Sequence, residues 1–294
     1  MLILNINGPM NSGKSTVSKI LVKLLPNSTF IEVDDLMSDE EQKKLGLSLK
    51  EGWKERHKRL NEKLLTFKQS REYKTVIFAY PIADNTYADW KAMEDKNTHF
   101  LNITLAPSLE ECLKNRGTRK LDDWERNRIR QMYEEQYQNR PYSDLIINND
   151  YQTPEQTAKI IAGFVKHALS DKQQWLHLVE RRWPALLSGE KTSTLRLNEG
   201  FVHKGLLVYK DCPKEQWMEV VYVTHVYYVP LKQALEIEGF DKHTPDIETG
   251  LKQIKTYYPN ITLKTPILLA THLSVPETKK KYAKQVKEIL RSKN

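Results

Sequence analysis

The stretch Gly8-Pro-Met-Asn11-Ser12-Gly13-Lys14-Ser15-Thr16 carries the first candidate chemistry in this chain. Its G-x-x-x-x-G-K-[ST] spacing places glycines where the backbone must turn sharply, and a lysine and a hydroxyl where a helix should begin. The start of a helix is a ready anion site, because its first N–H groups are unpaired and the helix dipole is positive there. The expectation is a cradle for ATP made by Gly8, Asn11, Ser12, Gly13, Lys14, Ser15 and Thr16. In it Lys14 reaches the β- and γ-phosphates and acts in catalysis, and the Ser15 hydroxyl meets Mg2+.

Acids and arginines that such chemistry needs follow along the chain. A hydroxyl acceptor loses a proton as it attacks the γ-phosphorus, and the metal needs oxygen partners. Asp34 and Asp35 end an alternating stretch that begins at Ser28. Asp34 is the candidate base that orients the acceptor hydroxyl. Asp35 either supports the metal shell or caps the following segment, and Asp84 is a further candidate for the metal. Arg116 and Arg119 are candidates for stabilising charge on the transferred group from a mobile lid. A solvated helix competes with that reading, since Asp122, Asp123 and Glu125 lie among the nearby Arg126, Arg128 and Arg130, which stay unassigned.

The elements that must position these residues are legible from periodicity. Apolar or alternating runs predict strands over 2–6, 28–35, 75–80, 100–105 and 145–148. Helices are predicted from Ser15, over 51–68, from Ser108 with Glu111 three residues on, and from Thr153 with Pro154 in the first turn. Strands alternating with helices imply an α/β fold: a parallel sheet with helices on both faces, binding ligands beyond the carboxyl ends of its strands. The phosphate loop and the Asp34–Asp35 pair both fall at such ends.

Residues 1–170 resemble the small P-loop kinases: shikimate-, gluconate- and chloramphenicol-phosphotransferase-like enzymes and the kinase domain of phage polynucleotide kinase. The polynucleotide kinase pattern is echoed in Val33-Asp34-Asp35, Asn115-Arg116-Gly117 and Arg130-Gln131-Met132-Tyr133. The resemblance implies that the first aspartate, Asp34, activates the acceptor hydroxyl. That family holds the acceptor phosphate with an arginine shortly after the aspartates, where this chain has Met37.

After Leu169 the composition shifts, and 170–174 reads as a junction. Short strands over 175–179, 205–209, 217–228 and 267–272, with a helix near 249–257, predict a second, small β-barrel-like domain over 171–276. The segment Gly189-x-Lys191-Thr192-x-Thr194-x-Arg196 resembles the signature of ASCH domains, relatives of the PUA RNA-binding fold. A branch of that family hydrolyses N4-acetylcytidine with a lysine, a threonine and a glutamate. The resemblance matches these to Lys191, Thr194 and Glu238, with Glu236 as the alternative acid. An amide-cleaving Thr194, a base-binding site without cleavage, and a merely amphipathic strand all remain open.

The net charge of +8 is concentrated near the end, where 277–293 holds seven Lys and Arg against two acids. This basic tail, 277–294, is either a solvated helix face or a strip for RNA. No apolar run approaches the roughly 18–20 residues of a membrane span, and the first residues lack a secretory pattern. Cys112 and Cys212 stand far apart, as reduced thiols in a cytoplasmic protein would.

The expected function is therefore ATP-dependent phosphotransfer with ATP and Mg2+ to a nucleoside, nucleotide or other small hydroxyl acceptor. The second domain would bind RNA or a modified nucleoside. The alternatives are an RNA-processing protein with 5'-hydroxyl polynucleotide kinase activity, a nucleotide-gated binding protein, and an ASCH amidohydrolase acting on N4-acylated cytidine.

Overall fold

Strand β1 (Leu2–Asn7) is buried along its whole length, and so is β3 (Thr75–Ala79). Continuous burial is what central strands of a parallel sheet require, since helices cover both faces. In the computed structural model, which describes residues 1–115, 120–212, 217–240 and 244–291, the chain divides into two compact units, 1–162 and 163–294.

In the first unit the sheet runs β2 (Ser28–Ile31), β3, β1, β4 (His99–Leu105), β5 (Leu145–Ile147), every pair parallel. Helix α1 (Lys14–Leu24) packs Val17 and Leu21 inward, and α3 (Leu49–Ser70) does the same with Leu60 and Leu64. One core joins these two leucines to Ile3, Val76, Phe78, Trp90 and Phe100. Burying one such leucine stabilises the fold by about 1.5–3 kcal/mol. The remaining helices are α2 (Asp39–Lys44), α4 (Asp84–Lys91), α5 (Leu109–Cys112), α6 (Asp123–Glu134) and α7 (Pro154–Ala168). The predicted cap at Ser108 is present, its hydroxyl accepting from the Glu111 N–H at 3.3 Å, and Thr153 likewise accepts from Gln156 N–H at 3.2 Å.

Two elements differ from their sequence expectations. The strand expected to reach Asp35 stops at Ile31, because its ladder with β3 ends at the Ile31–Phe78 pair. Beyond it the chain winds into a 3-10 turn, Asp34–Leu36, closed by Asp35 N–H on the Glu32 carbonyl and Leu36 N–H on that of Val33. The C-terminal basic segment is two helices, not one: α11 (Val275–Lys281) and α12 (Ala283–Arg291).

The second unit has the strand order β6 (Trp175–Val179), β8 (Gly205–Cys212), β9 (Met218–Pro230), β10 (Pro266–His272), β7 (Ser193–Arg196). All neighbours are antiparallel except β6 and β8. Helices α8 (Trp183–Ser188), α9 (Leu231–Glu238) and α10 (Ile247–Lys255) complete it. Its core gathers Val229, Leu235, Ile261, Ile267 and Leu269. Helix α12 lays Val286, Ile289 and Leu290 against Val208 and Val220 of β8 and β9, so its basic face is the outer side of a packed amphipathic helix.

Candidate functional site

The phosphate loop is strained into shape by two glycines. Gly8 has φ +138°, and a Cβ there would stand 2.4 Å from the Leu105 carbonyl oxygen. Gly13 caps α1 with φ +93°. Both conformations disfavour any side chain. Lys14 donates from Nζ to the Pro9 carbonyl at 2.7 Å, which holds its ammonium over the loop. The Ser12 hydroxyl, within the loop, is buried without a hydrogen-bond partner among the described residues. Asn11 fastens the loop from outside, donating to the Cys112 and Lys114 carbonyls at 2.8 and 3.0 Å. Asn149, after β5, donates to the Ser12 carbonyl at 3.2 Å.

The carboxylate beside the Ser15 hydroxyl is that of Glu32: Ser15 Oγ donates to Glu32 Oε1 at 3.0 Å, and Lys19 approaches the same carboxylate at 3.5 Å. A hydroxyl and a carboxylate oxygen side by side are hard donors of the kind Mg2+ takes, leaving its other positions for water and phosphate oxygens. Among the described residues no group of three or more His, Cys, Asp or Glu is placed to hold a metal unaided. The residues present therefore fit Mg2+ carried on a nucleotide.

Gly13, Lys14, Ser15, Thr16, Glu32 and Asp34 open onto one cavity of about 840 Å3. It extends from Asn149, Asp150, Gln152 and Pro154 after β5, over the loop, to Trp53 and Tyr80. Trp124, Arg128 and Met132 of α6 also line it, four residues apart on one helix face. That separates the three unassigned arginines. Arg128 faces the cavity and is held by Glu135 at 3.1 Å; Arg126 donates to the Leu113 carbonyl; Arg130 donates to Asn127. Arg116 and Arg119 lie outside the described residues.

Asp34 is exposed at the cavity edge, where the 3-10 turn places it. Asp35 follows in the same turn but does not line the cavity, so Glu32 stands where Asp35 was expected to help the metal. The reason is the early end of β2: the turn that replaces its last residues aims successive side chains in different directions. Asp84 opens α4, 4.0 Å from Arg140 and away from the cavity. Glu32, Tyr80 and Arg128 were not singled out by sequence reasoning. The signal for Glu32 was its place one residue before Val33-Asp34 at a strand end.

A second cluster lies within 163–294. Arg196 donates from Nε to Thr194 Oγ1 at 3.2 Å and from Nη2 to the His177 carbonyl at 2.7 Å. Lys191 Nζ donates to the Ser193 carbonyl, and the Ser193 hydroxyl donates to Glu238. Glu236 instead faces Lys232 at 3.9 Å. Thr194 is 4% exposed. Burial, reinforced by Arg196 and Arg182 and opposed by Glu238, lowers the Lys191 ammonium to about 8. Burial likewise raises Tyr209 to about 12 and lowers His272 to about 4, and these two share a 3.3 Å contact. In the basic segment, Lys279 pairs with Glu219 at 2.8 Å.

The parallel sheet, loop and cavity define a P-loop kinase. The sequence profile of shikimate kinase matches residues 10–166, more than half of the chain, and the chain belongs to that family of ATP-dependent phosphotransferases. Kinases of this kind use ATP and Mg2+. Similar solved structures include the tunicamycin resistance protein of Deinococcus radiodurans, 22% identical over 57% of this chain and 96% of that one, with a TM-score of 0.40. A sugar kinase from Janibacter is 17% identical over 56% and 94%, with a TM-score of 0.41. Shikimate kinase from Acinetobacter baumannii is 18% identical over 57% and 94%, with a TM-score of 0.37. No curated protein matches the chain. No described helix is long and apolar enough to cross a membrane.

Proposed function

We propose that the protein moves the γ-phosphoryl group of ATP to a hydroxyl of a small acceptor held in the 1–162 unit. The observation that carries this is the opening of Lys14, the Ser15–Glu32 pair and Asp34 onto one cavity of about 840 Å3. Bound Mg2+-ATP supplies the phosphoryl group. Loop N–H groups and Lys14 hold its phosphate oxygens, and Ser15 and Glu32 hold the metal or its waters. Asp34 orients the acceptor hydroxyl and receives its proton as the new oxygen–phosphorus bond forms and the bond from the γ-phosphorus to the bridging oxygen breaks, leaving ADP. Arg116 and Arg119, which lie outside the described residues, are assigned to charge stabilisation, and Arg128 is a further cation, one that lines the cavity. Phosphate transfer from γ-labelled ATP to nucleosides, RNA 5'-hydroxyl ends and small hydroxyl metabolites tests the reading. Lys14→Ala and Asp34→Asn should each abolish transfer with circular dichroism unchanged; full turnover in both variants would remove it.

For the 163–294 unit we propose an ASCH-like module that binds a modified nucleoside or RNA. What supports this is the meeting of Lys191 and Glu238 at Ser193, the Arg196 Nε–H donated to Thr194 Oγ1 at 3.2 Å, and the Arg196–His177 bond that links the two outer strands of the sheet, as a barrel would. Amide cleavage is the stronger form of that proposal. It needs Lys191 neutral for part of the time, to take the Thr194 proton, and a lysine titrating near 8 meets that condition. Thr194→Ala protein that still releases acetate from N4-acetylcytidine would exclude it. RNA binding that ignores both salt and neutralisation of lysines 279–281 would exclude an electrostatic RNA strip.

A further inference from the structure

Three polar side chains of the 163–294 unit meet out of water: Thr194 on β7, Tyr209 on β8 and His272 at the end of β10. They are 4%, 0% and 4% exposed. Strand β8 pairs with β6 and β9, so Tyr209 reaches His272 and Thr194 across the intervening β9. The register of β10 with β9 shifts between Thr271 and His272, a bulge of the kind that re-aims a side chain. Buried together, the three must satisfy one another, and the order in which they do so fixes each proton.

That order is read from its two ends. At one end the Leu273 carbonyl, 2.8 Å from His272 Nδ1, can only accept. The ring is neutral, because burial lowers it to about 4 against the Leu273 hydrogen bond that raises it. Its one proton is therefore on Nδ1, and Nε2 is a bare acceptor. The Tyr209 hydroxyl, 3.3 Å from Nε2, is then the donor of that contact. At the other end the Arg196 Nε–H, which can only donate, stands 3.2 Å from Thr194 Oγ1. Arg196 is itself anchored on the His177 carbonyl at 2.7 Å and on Glu199 at 2.8 Å. Thr194 also hydrogen-bonds Tyr209. The phenol proton is already committed to His272, so in that bond the Thr194 hydroxyl donates and the Tyr209 oxygen accepts. One line of donors results: Thr194 to Tyr209, Tyr209 to His272, His272 to the Leu273 carbonyl.

We infer that Tyr209 and His272 are positioning residues for Thr194, holding its proton on the Tyr209 oxygen and leaving one lone pair of Oγ1 uncommitted. The inference rests on the amide-cleavage reading above, in which that oxygen attacks. A nucleophile attacks with a lone pair, and a hydroxyl free to rotate presents one correctly only part of the time. The line does not replace Lys191 as the base, since His272 gains a proton only well below neutral pH.

The test follows acetate release from N4-acetylcytidine by the full-length protein. Tyr209→Phe, which removes one oxygen and keeps the ring, should lower kcat about ten-fold with KM within about two-fold. His272→Leu should do the same, and the double variant should lose no more than either alone. His272→Gln, whose amide oxygen can still accept from the phenol, should recover most of the rate. Heteronuclear NMR of the unaltered protein at neutral pH should show His272 protonated on Nδ1 alone, a readout that needs no variant to fold. A proton on Nε2, an unchanged kcat in folded Tyr209→Phe, or equal losses in His272→Leu and His272→Gln overturns the inference and leaves cleavage standing. Acetate release that is absent, or that Thr194→Ala leaves intact, overturns the cleavage reading and the inference with it.

Discussion

The 1–162 and 163–294 units each gather reactive groups, but by opposite physical means. In the first, the anion cradle is mostly backbone: N–H groups, two glycines in unusual conformations and a helix end, facing an open cavity. In the second, side chains are withdrawn from water, and Lys191, Tyr209 and His272 all titrate away from their ordinary values chiefly because of burial. A backbone cradle keeps its field at any pH where the fold stands. A desolvated cluster has a reactivity that can be moved by one neighbouring charge.

The sharpest division between the two comes from Lys14→Ala, which should lower kcat for phosphoryl transfer by about 10^3-fold. Lys191→Ala should leave that kcat unchanged; a common loss in both variants, read by coupled ADP release, would erase the distinction. Next in size is Glu32→Gln, which should raise the Mg2+ concentration for half-maximal activity about 10–100-fold, while Asp35→Asn moves it by less than about two-fold. The reverse order would return the metal role to Asp35.

The pH dependence of stability addresses the second unit. His272 binds a proton near pH 4 when folded and near 6.5 when unfolded. Between those values the unfolded chain holds more protons, so the stabilisation is full above pH 6.5 and is lost as pH falls toward 4. The slope reaches about 1.4 kcal/mol per pH unit. Urea unfolding followed at several pH values should show this slope, and His272→Gln should flatten it. The smallest effect sharpens the cluster itself. Glu238 raises Lys191 and Arg196 lowers it, so Glu238→Gln should move the lysine further down and Arg196→Gln should move it up. Side-chain NMR titration of Lys191 reads both, and shifts of the opposite signs would contradict the placement of those charges.

Much of the kinase site was legible because its signals are local. The loop needs consecutive residues of fixed type, the strand before it needs an apolar run, and the capped helices announce themselves within four residues. Glu32 was legible only as an acid near a strand end. Its contact with Ser15 follows from the place where β2 leaves its ladder with β3, which depends on pairing with residues more than forty positions away. Trp53 and Tyr80 read as ordinary apolar positions on a helix and a strand end; only packing makes them one wall. Asn5 and Asn7 interrupt an apolar strand for no reason visible in the sequence, and the structure shows them clamping the segment that carries Tyr80.

By itself the sequence determined the anion cradle, the alternating order of strands and helices, and the amphipathic faces, because these depend on spacings shorter than a helix turn or a strand. The tertiary structure alone decided which carboxylate meets the Ser15 hydroxyl, which arginine faces the cavity, and which lysine loses its water. Those outcomes are set by distances between segments remote along the chain, and by the solvent that packing removes, neither of which is encoded at any single position.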